Sequence, residues 1–224
     1  MPNAVKADYD KFAEEFSKTR QVPWKEVSDF LEKLPKQSFV LDIGCGNGRH
    51  IIEAKKRGLD AVGIDISKNM LKIAKKKTGV PWVLGNVLAL PFKENAFDNS
   101  ICIAVVHHFK AEKERILALK EIARASKSEL FVSVWAFEQE KFKKRKSPDI
   151  QLGWNNESSR SANASLEAFE GSKPSKHPRF YHLFRKAELE MLAKKAELKV
   201  NKAWREGNNY WAIIETNTRL KNNI

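Results

Sequence analysis

Apolar and polar positions follow two rhythms along this chain. Short apolar runs recur at FVLDIG (39–44), AVGID (61–65), PWVLGN (81–86), NSICIAVV (99–106) and ELFVSVW (129–135), and their β-branched and aromatic content suits buried strands. Between most of them lie polar stretches such as SKNMLKIAKKK and RILALKEIARA, whose apolar residues return every three or four positions, the period of a helix with one buried face. Strand and helix in alternation predict a parallel sheet with helices on both faces, because each parallel pair needs a crossover that packs back on the sheet. After Trp135 the rhythm breaks, and Lys141 to Pro178 is rich in Lys, Ser and Asn, which predicts a basic, mobile insertion over 141–178. An amphipathic helix, KAELEMLAKKAEL, follows, and then two strand-like runs, VNKAW and YWAIIE, joined by REGNN as a closing antiparallel hairpin. At the front, YDKFAEEFSKTR sets Tyr9, Phe12 and Phe16 on one stripe of a helical cover over residues 1–34. No internal repeat is visible.

Composition narrows this picture. The 224 residues, 42% of them hydrophobic, can bury one sizeable core and read as a single domain over 1–224. No apolar run approaches the roughly 20 residues that span a bilayer, and MPNAVKADYDKF lacks a secretory core, so a soluble, cytoplasmic protein without a membrane partner is expected. Two cysteines, Cys45 and Cys102, sit in buried runs without CxxC spacing; neither a disulfide nor an intrinsic metal site is expected. Lys and Arg number 41 against 28 acids, a net charge of +13. That excess favours a polyanionic partner, nucleic acid before membrane, or it serves solubility alone, and charge does not choose between the two.

The candidate chemistry begins at LDIGCGNGRH, where Gly44, Gly46 and Gly48 follow the first strand and precede a helix. Glycines are needed where the chain turns sharply and a ligand approaches the backbone. The dinucleotide fingerprint would want glycine at Arg49, and no GK[ST] follows. The pattern is instead Asp-x-Gly-x-Gly-x-Gly from Asp42, with Asp65 closing the second strand where a carboxylate can accept ribose hydroxyls. These residues resemble class I S-adenosylmethionine-dependent methyltransferases. The resemblance implies an α/β, Rossmann-like fold: a seven-stranded, mostly parallel sheet with helices on both faces and a C-terminal antiparallel hairpin. It places Asp42 and Gly44 to Gly48 under the methionine part of S-adenosylmethionine, Asp65 and Ile66 at its ribose, Asn86 and Val87 of GNVLALPF at its adenine, and Ala104 and Tyr9 against it. Asn86 stands where the family usually has an acid.

The run IAVVHHF ends in two of the chain's five histidines, just beyond the fourth strand, where an open parallel sheet keeps its ligand crevice. His107 is the choice to face substrate, slightly ahead of His108; the alternative for either is to satisfy a backbone group. The Asn/Asp-Pro-Pro-aromatic motif of amine methylation is absent. FSKTRQVPW, LDIGCGNGRH, FDNSICIAVVHHF, VWAFEQE, YHLFRKAELEML and NNYWAII together resemble the tRNA wobble-uridine carboxymethyl methyltransferases, which esterify 5-carboxymethyluridine in the anticodon loop. That resemblance implies Arg20, His107, Trp135, Tyr181, His182 and Arg185 on the substrate side, and a tRNA anticodon loop as partner, held in part by the basic insertion.

The residue types suit the reaction. A carboxylate with a pKa of about 4 is already ionised at neutral pH and needs no base; the site has to hold it in line with the methyl and exclude water. Neutral donors such as His107 or Tyr181 orient it without quenching it, and Arg20 or Arg185 can grip a second oxygen or a phosphate. Core packing is the other role open to Trp135, and a surface ion pair the other role open to Arg20. The family also implies a small zinc-binding activator on the edge of the sheet at Trp82, Val83 and Leu84. Two alternatives stand: a methyltransferase for a small-molecule carboxylate, and a non-catalytic tRNA-binding subunit.

Overall fold

The structure is a computed structural model that describes residues 9–152 and 179–216; residues 153–178, most of the expected insertion, lie outside them. Five strands run parallel: β1 (Phe39–Ile43), β2 (Asp60–Asp65), β3 (Trp82–Leu84), β4 (Phe97–Ile103) and β5 (Ser126–Trp135). The closing hairpin, β8 (Lys199–Glu206) and β9 (Asn209–Glu215), completes a seven-stranded sheet in the order β3-β2-β1-β4-β5-β9-β8, with β9 antiparallel to β5. Only Gly207 and Asn208 form the hairpin loop, and Gly207 has φ +56°. The chain steps outward from β1 to β3 and returns to the other side of β1 at β4, so the sheet changes direction between β1 and β4, and a crevice opens at their carboxyl ends.

Six α-helices are described: α1 (Ala13–Thr19), α2 (Lys25–Glu32), α3 (Arg49–Lys56), α4 (Lys68–Thr78), α5 (Glu112–Ala125) and α6 (Glu188–Lys195). α4 shows how the sequence sets its ends. Ser67 Oγ accepts from Met70 N at the start, and Gly79, at φ +64°, stops the helix, a serine N-cap and a left-handed glycine stop. Two apolar cores lie on the two faces of the sheet. One is built on Ala118, Leu119 and Ile122 of α5 with Leu189 and Leu192 of α6, the other on Val27 and Phe30 of α2 with Ile51 and Ala54 of α3.

One element differs from expectation. The stretch from Lys141 is not uniformly irregular: Phe142 is buried, and β6 (Asp149–Leu152) pairs antiparallel with β7 (Arg179–His182) in a separate ribbon. Ile150 and Leu152 alternate inward, a strand period of two that four residues amid a basic run barely signal. The ribbon packs Ile150, Leu152, Tyr181 and Leu183 against Trp135 and Phe137, and Phe184 N bonds Trp135 O at 2.8 Å. This seats Tyr181 beside the end of β5.

Candidate active site

A cavity of about 520 Å³ opens at the carboxyl ends of β1, β2 and β4. Its floor is the glycine turn. Gly44 (φ +65°) and Gly46 (φ +54°) line it. Gly46 N donates to Asp65 Oδ2 at 2.9 Å and Ser67 N to Asp65 Oδ1 at 2.8 Å. Asp65 is thus fixed in the wall with lone pairs to spare, and burial raises its pKa even against these N–H bonds. A Cβ on Gly46 would stand in open space, so this is a cradle for a ligand rather than a packed turn. Ile66, Asn86, Val87 and Ala104 line the same cavity. The Asn86 amide oxygen accepts from Leu88 N at 3.1 Å, and Ala104 sits at φ +61° where the chain turns out of β4.

Two of the expected cofactor residues support the cradle from outside it. Gly48 does not line the cavity: a Cβ there would meet Trp82 and Thr78, so the third glycine admits the Trp82 ring. Asp42 lies beneath the turn, fully buried and off the cavity wall, with Oδ2 unpartnered and its pKa pushed well up by burial.

The two histidines sit side by side with ring centroids 4.6 Å apart and hold opposite tautomers. His107 Nδ1 accepts from Trp135 N at 3.2 Å, which leaves the proton on Nε2 of the neutral ring. His108 Nδ1 donates to Phe180 O at 3.0 Å, and its Nε2 accepts from Tyr9 Oη at 3.2 Å. Both nitrogens of His108 are therefore used, while His107 keeps one N–H with no protein partner among the described residues. Burial lowers the pKa of His107 well below its usual value and that of His108 to about 4, so both are neutral near pH 7. Trp135 and Tyr181 stack at 4.6 Å and 10° beside His107.

The N-terminal cover reaches the same cavity through Tyr9, Phe16 and Arg20. Asn47 in the glycine turn donates to Arg20 O at 2.8 Å and Ser17 Oγ at 3.1 Å. Asp10 Oδ1 accepts from Ser67 Oγ at 2.6 Å and Asn69 N at 3.0 Å, tying the cover to the start of α4. Arg20 is half-buried, with its pKa lowered by that burial, and makes no surface ion pair among the described residues.

His182 and Arg185 do not line the cavity. His182 is clamped between Asp149 Oδ1 and Glu188 Oε1, each at 2.6 Å, fastening the ribbon to α6. Arg185 is exposed with its guanidinium 4.0 Å over the Phe137 ring. Strand alternation explains both His182 and a residue the sequence reading omitted: Tyr181 and Arg179 share the inward face of β7, and His182 takes the other. Arg179 lines the cavity, buried, 5.4 Å from the Tyr9 and Tyr181 ring centres, with Nη1 3.4 Å from Tyr9 Oη. Lys141, 5.1 Å over the Trp135 ring, and Arg49 line it too. Among the described lining residues Asp65 is the only acid, against Arg20, Arg49, Lys141 and Arg179.

A methyltransferase-domain family profile matches residues 41–132. The tRNA (carboxymethyluridine(34)-5-O)-methyltransferase of Schizosaccharomyces pombe is 34% identical over 93% of this chain and 94% of its own length. The chain belongs to the tRNA carboxymethyluridine methyltransferases. A Xenopus tropicalis protein named for the same activity is 31% identical over 92% of this chain, which spans only 40% of that longer protein. Among solved structures, a Haloferax volcanii methyltransferase in complex with the Trm112 methyltransferase activator superposes with TM-score 0.70 over 95% of this chain and 97% of that one, at 14% identity, a likeness of fold. The glycine cradle and Asp65, with Ile66, Asn86 and Val87 on the same wall, fit S-adenosylmethionine. Among the described residues no helix is long and apolar enough to cross a membrane.

Proposed function

We propose that this chain transfers a methyl group from S-adenosylmethionine to the carboxylate of 5-carboxymethyluridine at the wobble position of tRNA, forming the methyl ester. The observation that carries the reading is the charge of the cavity: among the described lining residues one acid stands against four cations. An anionic acceptor is attracted there, whereas an amine would find no free carboxylate to take its proton. The bound cofactor supplies a methyl activated by a cationic sulfur. Gly44 and Gly46 hold its methionine part, Asp65 accepts from its ribose, and Asn86 and Val87 meet its adenine. On the acceptor side the free Nε2–H of His107 donates to one carboxylate oxygen and turns the other toward the methyl. Being neutral, it orients the nucleophile without the attraction a bidentate ion pair would impose. Arg20 and Arg179 neutralise the approaching charge, and the Trp135–Tyr181 stack excludes water from the reacting atoms.

A small zinc-binding activator on the β3 edge belongs to this reading. β3 has three residues, ends the sheet, and leaves Leu84 53% exposed, an open edge suited to strand addition. The test is nucleoside mass spectrometry on tRNA bearing 5-carboxymethyluridine after incubation with the protein and S-adenosylmethionine, with and without the activator. Methyl ester is expected, more with the activator; no ester in either arm, while S-adenosylhomocysteine still binds, means a different acceptor.

A further inference from the structure

α4 differs from every other α-helix described: it contains no acidic residue. Lys68, Lys72, Lys75 and Lys76 are all exposed, and none forms an ion pair among the described residues. Lys68, Lys72 and Lys76 follow at four-residue intervals and Lys75 lies beside them, so they form one ridge on the outer face. Local helix energetics do not ask for it. Lysines in the last turn complement the helix dipole, but Lys68 in the first turn opposes it, and like charges four apart repel. Asp10, Glu14 and Glu15 are carried by the N-terminal segment, whose helix packs on α4. Asp10 is spent on Ser67 and Asn69.

The ridge also has a place relative to the site. α4 begins at the cavity wall, where Ile66 and Met70 line it, and runs about 16 Å to Lys77, whose Nζ meets Ser17 Oγ and Gln21 Oε1 next to Arg20. We propose that the α4 lysine ridge is a docking surface for the phosphate backbone of the tRNA beyond the anticodon loop; this rests on the tRNA reading above. Flexible lysines suit contacts that position without reading sequence. An anionic membrane is disfavoured because an interfacial helix needs an outward apolar face, and α4 buries Met70, Leu71 and Ala74 inside the protein.

The experiment compares the wild type with two quadruple variants of equal charge change. One is Lys68→Gln/Lys72→Gln/Lys75→Gln/Lys76→Gln. The other is Lys113→Gln/Lys120→Gln/Lys194→Gln/Lys195→Gln on α5 and α6, across the sheet. Read-outs are the tRNA dissociation constant against salt, ester formation, S-adenosylhomocysteine binding and circular dichroism. For the α4 variant, tRNA affinity at about 0.15 M salt is expected to fall tenfold or more, with the salt slope shallower by about three, from roughly 0.7–0.9 per lost phosphate contact. Cofactor affinity and fold should be unchanged, and the second variant should stay within about threefold of wild type. Equal losses in both variants, or none in the first, overturn the ridge while a wild type that still makes ester keeps the reaction. A wild type that neither binds tRNA nor makes ester overturns the reaction reading, and the ridge with it.

Discussion

His107, the proposed donor to substrate, and His108, its neighbour, show how little separates the two roles. Adjacent in sequence, they differ in how many ring nitrogens the protein has taken, one in His107 and both in His108, and among the described residues only His107 keeps an N–H without a protein partner. His107→Ala is expected to lower kcat/KM for the tRNA about a hundredfold, as removal of an orienting donor does, with S-adenosylhomocysteine affinity kept. His108→Ala, which removes the bond between Tyr9 Oη and Nε2, should act chiefly on cofactor affinity, as titration calorimetry would read. With His107 uncharged and the acceptor ionised, kcat/KM should be flat from about pH 6 to 8; a bell in that window would mean a general base. Stability answers pH differently. The unfolded imidazole takes its proton near pH 6.5, whereas His108 in the fold waits until about 4. Between these values the unfolded chain binds the extra proton, so stability falls as pH drops, by about 1.4 kcal/mol per pH unit for each such histidine. Thermal melts from pH 7 to 4.5 should show this, with a shallower slope in His108→Asn. The sequence pointed to this pair by its place after β4, but the choice between them lay in tautomers set by Trp135 and Phe180, residues distant in the chain.

At the scale of elements, the parallel strands and the closing hairpin were legible because their periodicity is local and strong. The β6–β7 ribbon was not, and with it went the inward position of Arg179 and the outward turn of His182, whereas Tyr181 was reached through the family resemblance alone. The glycines divide in the same way. Gly44 and Gly46 serve the cradle, but Gly48 and Gly63 make room for one ring, Trp82 on β3, a long-range contact that no spacing announces. Gly63→Ala should therefore cost about 1–3 kcal/mol by overpacking, read by chemical denaturation. Gly63→Ala/Trp82→Leu should recover part of it, since the two positions touch. For the cover, Asp10→Ala releases the start of α4 and should weaken S-adenosylhomocysteine binding several-fold, with a smaller effect on kcat.

Across the whole molecule, the net charge of +13 suited a polyanionic partner or solubility alone, and it located neither. The structure distributes the charge unevenly: helices α5 and α6 mix signs in pairs such as Lys195 with Glu112, while α4 carries one sign only. The two free ends of the sheet are unlike as well. β8 runs eight residues, whereas β3 is three residues long with Leu84 outward. Leu84→Lys is expected to weaken activator binding at least tenfold in a pull-down titration while leaving cofactor affinity intact; an unchanged affinity would place the activator elsewhere. A last consequence follows from Asn47. Its amide, set in the glycine turn, donates both to Arg20 O and to Ser17 Oγ, so the turn formed by Gly44 and Gly46 and the segment that carries Arg20 answer to one side chain, and a change at either is felt at the other.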